Sequence, residues 1–219
     1  MKRVYQQLLV AAFSVFVTAC SLRPSHEDFS PRCSGVACDK VAERENLSNF
    51  SPAKILSGTV SIGPYHFNVP AEGRAYQKRR GRIQIVFPDK SGILFNIMYA
   101  DDFDLEHFAH VFDESQYTVA DYPLIMFMKR DSDPEPENIY DGYIWRLALN
   151  NKGYMLREQL YYHQVDQNLT IYFGRAAIGP ISQVAFIADK RYPGQLLKIL
   201  GYQLEMATFK SILASMVTK

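Results

Sequence analysis

Residues 143–162 read YIWRLALNNKGYMLREQLYY, and the fold class turns on this stretch. Asn150-Asn151-Lys152-Gly153 is a four-residue turn by composition, with a glycine to take the left-handed position. Tyr143, Trp145, Leu147 and Leu149 fall on alternate positions before it. Tyr154, Leu156, Leu160 and Tyr162 do the same after it, interrupted by Glu158. Alternation of this kind turns one strand face to a core and the other to water, so the stretch predicts a β-hairpin over 143–163.

Outward from it, NLTIYF (168–173) and SQVAFIA (182–188) extend the sheet. Towards the N-terminus, ILSGTVSI (55–62) and YHFNV (65–69) are short extended runs split by the turn pair Gly63-Pro64. RIQIVF (82–87) places Ile83, Ile85 and Phe87 on one face, and GILFNIMYA (92–100) follows across Asp89-Lys90-Ser91-Gly92 as its hairpin partner. YPLIMFM (122–128) is a further strand candidate, which Pro123 confines to an edge or a strand start.

Two segments carry a helical period instead. In DLEHFAHVF (104–112), Leu105, Phe108, Ala109 and Phe112 form one stripe, with Asp104 as N-cap. From Gly194 towards Met216, residues Leu196, Leu200, Leu204, Phe209, Ile212, Leu213 and Met216 share a side, and Gly201 bends or splits the element. The expected fold is α+β: an antiparallel β-sheet with a mid-chain helix and a C-terminal helix packed on one face. FNVPAEG (67–73) and TFKSILASM (208–216) are similar to the start and the closing helix of PsbP/Mog1/DcrB-like domains, and the resemblance implies that same layered architecture.

The chain opens with Lys2 and Arg3, then runs from Leu8 to Val17 with Ser14 as its only polar residue. That is about half of the roughly 20 apolar residues that cross a bilayer as a helix. A basic start and a short apolar middle describe an export signal. Val17-Thr18-Ala19-Cys20 then resembles the lipobox of bacterial lipoproteins. The resemblance implies cleavage before Cys20, lipid on its sulfur and acylation of the new amine. Each buried methylene adds about 0.8 kcal/mol, so two or three chains hold a protein on a membrane lastingly. Ser21 stands where an aspartate commonly retains such proteins at the inner membrane, which points to the periplasmic side of the outer membrane of a Gram-negative host. The expected organisation is a signal peptide over 1–19, a lipidated tether over 20–52 and a single α+β domain over 53–219.

Loss of Lys2 and Arg3 with the signal leaves 22 Lys+Arg against 23 Asp+Glu, a balance that argues against nucleic-acid binding. With Cys20 assigned to lipid, Cys33 and Cys38 remain in PRCSGVACDK. In an oxidising compartment a pair so close forms a small disulfide loop; free thiols, or a metal shared with His26, are the alternatives.

Charge is clustered despite the neutral total. RAYQKRRGR gathers Arg74, Lys78, Arg79, Arg80 and Arg82 without an acid, suited to a lipid headgroup, a partner's acidic surface or plain solvation. DSDPEPENIYD carries Asp131, Asp133, Glu135 and Glu137 on alternate positions, an exposed acidic loop expected between two strands. It lacks the glycine and glutamate of an EF-hand, leaving only looser calcium binding open. His107 and His110 sit one turn apart on the polar side of the expected mid-chain helix, near Asp101, Asp102 and Asp113, without a committed third ligand.

No cofactor is expected. GPISQ around Ser182 fails as a nucleophile elbow, and no phosphate-binding glycine loop occurs. The expected function is therefore a noncatalytic, protein-binding lipoprotein. An immunity protein against a toxin delivered to the periplasm by type VI secretion is its concrete form. Envelope assembly or maintenance is an alternative, as is a hydrolase built on His107, His110 or His163.

Overall fold

The computed structural model describes residues 33–50, 56–78, 81–103 and 110–218. In the strand Ile181–Asp189, Val184, Phe186 and Ala188 join one core while Ala185 and Ile187 join another, and all five are buried. A strand apolar on both sides belongs inside a sheet that is covered on both faces. The strands are β1 (Glu43–Arg44), β2 (Leu56–Ile62), β3 (Tyr65–Pro70), β4 (Arg74–Lys78), β5 (Arg82–Val86), β6 (Gly92–Tyr99), β7 (Leu156–Gln164), β8 (Leu169–Ala176), β9 (Ile181–Asp189), β10 (Gln195–Tyr202) and β11 (Val217–Thr218). Eight form one sheet in the order β1-β7-β8-β9-β10-β6-β5-β4, and β11-β3-β2 form a second. Every neighbour is antiparallel except β1 on β7.

The helices are α1 (Val111–Glu114), α2 (Tyr122–Met128), α3 (Ile139–Met155) and α4 (Met206–Ala214). They divide between the two faces of the large sheet. Tyr122, Phe127, Ile144 and Trp145 pack with Tyr172 and Phe186 on one face. Phe209, Ile212 and Leu213 of α4, together with Phe67 and Val69 of β3, cover Phe173 and Ile187 on the other. The α+β class, the antiparallel sheet, and mid-chain and C-terminal helices against it are present, but the helices lie on opposite faces and not together on one, because the inner strands of the large sheet are apolar on both sides.

The hairpin expected over 143–163 is instead the helix α3 followed by β7. Asn138 caps α3, its Oδ1 accepting from the amides of Tyr140 and Asp141. Ile144, Trp145, Ala148, Leu149, Lys152 and Met155 are buried in steps of one, three and four, which is a helix face. YPLIMFM forms α2 for a related reason. Pro123 sits in its first turn, where the missing amide costs nothing, and Tyr122, Ile125 and Met126 turn inward together. The expected helix from Gly194 is β10 and then α4, divided near Gly201. Leu196 and Leu200 satisfy a period of two as well as of four, and β10 is a central strand between β9 and β6. The mid-chain helix expected over 104–112 has only Val111 and Phe112 in α1; residues 104–109 lie outside the described ones. Helical coverage in mid-chain comes from α2 and α3. The runs expected as strands over 55–62, 65–69, 82–87, 92–100, 168–173 and 182–188 carry β2, β3, β5, β6, β8 and β9, with residue 55 outside the described ones.

The folded body begins by Cys33, ahead of the boundary expected at 53. Cys33 and Cys38 are joined by a disulfide, with Cα atoms 5.8 Å apart. The loop it closes lies against α3 at Gly153. A Cβ there would meet Ser34 O at 2.5 Å and Cys33 Sγ at 2.9 Å, so glycine is the residue that admits the contact. The chain continues through buried Ala42, whose amide donates to Phe127 O, pairs β1 with Tyr161 and Tyr162, and buries Leu47 in the opposite core. Residues 33–50 thus cross the β7 edge of the sheet and touch both layers.

Candidate functional site

The two charge clusters lie at opposite edges of the large sheet. Arg74 and Lys78 bound β4, the terminal strand, and Arg82 opens β5 beside it. Arg79 and Arg80 lie outside the described residues. Arg74, Ala75, Tyr76 and Gln77 are exposed, Tyr76 by 51%. Arg82 is engaged: its Nε donates to Asn96 Oδ1 at 2.8 Å, and its guanidinium stands 3.9 Å from Asp102. Basic residues on an edge strand discourage pairing between copies of a chain while leaving its outer amides and carbonyls open.

The acidic loop joins α2 to α3, where a strand-to-strand connection was expected. The amide of Asp131 donates to Cys38 O, which places the loop beside the disulfide at the β1 edge. Seven strand spacings separate the two edges, about 34 Å. Asp133 accepts from the Arg130 amide at 2.8 Å, and Glu135 pairs with Arg146 through two bonds of 2.6 and 3.0 Å. Glu137 is exposed. Asp133 and Glu135 thus hold the loop in shape, while Glu137 faces water.

Histidines are dispersed. His107 lies outside the described residues, and His110, 84% exposed at its side chain, meets Asp113 at 3.5 Å. Among the described residues no three His, Cys, Asp or Glu side chains gather as metal ligands. Ser182 is a structural hydroxyl: its nearest acceptor is Gln183 Oε1 at 2.6 Å, Gly201 O and Leu204 O stand at 3.2 Å, and its oxygen accepts the Leu204 amide at 3.1 Å. Sequence reasoning missed the pair Ser61 Oγ and His66 Nδ1, 2.7 Å apart on facing positions of β2 and β3. His66 Nε2 is buried without a partner, so no third group orients the ring as a base.

Two other arrangements escaped the sequence. Lys210 of α4 bonds Glu45 at 2.5 Å and lies 4.8 Å from the Tyr161 ring centre, with Phe50 and Phe173 beside it. This cation, packed on aromatic faces, fastens residues 45–50 to the body. A cleft of about 210 Å³ opens between α2 and the ends of β7, β8 and β9, with Leu124, Met128, Tyr162 and Tyr172 as apolar walls and Thr170 and Lys190 among its polar groups. Burial, reinforced by Asp121, pushes the Tyr172 hydroxyl up to about 12, so it remains a neutral hydrogen-bonding group. No protein-family model matches the sequence, and no curated protein matches it.

Proposed function

We propose that the protein is a lipid-anchored, noncatalytic binding module of the cell envelope, attached through Cys20 to the outer membrane with its body in the periplasm. The observation that carries partner binding is the asymmetry of the large sheet. Residues 33–50 close one edge, while among the described residues no strand pairs with the outer side of β4, which carries Arg74 and Lys78 of the basic run. A bare edge accepts an extended segment through main-chain hydrogen bonds, and the arginines select a segment of negative charge. The anchor rests on Val17-Thr18-Ala19-Cys20, and the Cys33–Cys38 disulfide suits an oxidising compartment.

Labelled palmitate should enter the wild-type protein and not Cys20→Ser, and Cys20→Ser should leave the membrane fraction. Unchanged fractionation sinks the anchor. A partner co-purified from the envelope should be lost on the triple change Arg74→Glu, Arg79→Glu and Arg80→Glu; equal recovery removes the β4 edge from the proposal. In the concrete form, an immunity protein, the partner is a type VI toxin. A deletion strain that survives attack by its siblings eliminates that form and leaves an envelope-assembly partner.

A further inference from the structure

One cavity stands apart by the chemistry of its lining. It is an open depression of about 460 Å³ where β1 meets the end of β7, lined by Arg44, Asn46, Ser48, His163, Gln164 and Val165. Five of the six side chains offer hydrogen-bond donors: a guanidinium, an imidazole, a hydroxyl and two primary amides. None is acidic. Of the carboxylates nearest along the chain, Glu43 precedes Arg44 on β1, so its side chain leaves the strand on the opposite face, and it is not part of the lining. Glu45 is drawn to Lys210 at 2.5 Å, and Asp166 accepts the amides of Asn168 and Leu169 at 2.6 and 2.9 Å. Arg44 is exposed and has no carboxylate partner among the described residues.

The backbone fixes this donor set. The register of β1 puts Arg44 opposite Tyr162, and the Glu45 amide donates to Tyr162 O at 2.9 Å. His163 Nδ1 lies 3.1 Å from Glu45 O and 3.4 Å from the Leu47 amide, which orients the ring and leaves Nε2 without a partner among the described residues. Asn46 Oδ1 accepts the Ser48 amide at 3.0 Å, so its amide nitrogen remains free to donate.

A planar carboxylate is satisfied by one arginine fork. A tetrahedral oxyanion presents oxygens in several directions and takes donors spread around it, as these are over segments 44–48 and 163–165. We propose that this cavity is an anion site for a phosphate group, present either as a soluble monoester or as the diester of a lipid headgroup. The proposal does not rest on the lipid anchor.

The test is calorimetric titration of the full-length protein with inorganic phosphate and, separately, with glycerophosphoglycerol, a headgroup diester without acyl chains. One of the two should saturate at one equivalent, and Arg44→Gln should weaken it by about tenfold or more, as loss of a charge-assisted contact requires. Lys90→Gln, in the exposed turn between β5 and β6, should leave the affinity unchanged. Because Arg44 is exposed and unpaired, Arg44→Gln should keep the wild-type thermal midpoint. Tighter phosphate identifies a soluble monoester and tighter diester identifies a headgroup; both support the site. Failure of both probes to saturate overturns it, as does binding that Arg44→Gln leaves intact or that Lys90→Gln weakens equally.

Discussion

Lys152 has no exposed surface, and its Nζ donates to the carbonyls of Lys40 and Lys129, the latter at 2.5 Å. Burial pulls its pKa from 10.5 down to about 8, against the pull of Asp133 and Asp39. Between those values the unfolded chain holds a proton that the folded chain has released, so stability rises with pH from 8 to 10.5, by about 3 kcal/mol for this group. Lys198, lowered by burial and Arg82, acts in the same sense. Buried tyrosines oppose the rise: Tyr172 is pushed up to about 12, and Tyr65 and Tyr122 are raised by desolvation. They keep protons that the unfolded chain gives up near 10, and their contribution is lost above that pH. Urea unfolding should therefore show a midpoint that climbs from pH 8 to near 10 and then falls. Lys152→Met should flatten the climb and, at pH 10, cost about 2–4 kcal/mol by leaving two carbonyls without donors. A climb of parental steepness in Lys152→Met contradicts this account. A charged residue at a buried slot of a helix face reads in sequence as the end of the face, which is why NNKG looked like a turn.

At the scale of elements, strands with a single period were legible and elements with two were not. In RIQIVF and GILFNIMYA the alternation and the intervening turn agree, and β5 and β6 form as expected. In YIWRLALN, apolar groups occupy both phases of a two-residue repeat, so Ile144 and Ala148 are hidden from a strand reading although both are fully buried. The decisive signal, Asn138 as a cap just beyond the prolines of the acidic loop, lies outside the run itself. Residues 33–50 looked like tether because their apolar groups are few and small; what holds them is a disulfide, a glycine contact, β1 pairing and Lys210. Replacing Cys33 and Cys38 together by serine should loosen this strap ahead of the sheet. Hydrogen exchange should accelerate at the amides of Ala42, Glu45 and Leu47, which donate to Phe127 O, Tyr162 O and His163, while β8, β9 and β10 keep their protection. Unchanged exchange at those three amides would mean that pairing, not the disulfide, secures the strap.

Over the whole molecule, the sequence carried the class and the charge clusters, but not the strand order that sends the clusters to opposite edges or the helices to opposite faces. Pairing between distant segments is set by which faces bury together, and a single sequence does not display it. The result is one sheet serving two cores. Phe186 belongs to the helical side and Phe173 to the side of α4, both within strands that hydrogen-bond to each other. Removing either ring leaves a cavity costing about 3–5 kcal/mol. Trp145, the only tryptophan, lies in the helical layer and reports on that layer alone. If the shared strands make unfolding cooperative, Phe173→Ala should move the Trp145 fluorescence transition in denaturant as far as Phe186→Ala does, and in step with far-UV circular dichroism. Among the described residues the strands β6 to β10 and the strap contribute side chains to both layers, and Phe173 lies wholly on the side away from Trp145, so Phe173→Ala is the variant most able to separate them. A Trp145 transition left in place by Phe173→Ala, with the dichroism transition shifted, would show that the helical layer holds its share of the sheet after the α4 side has opened.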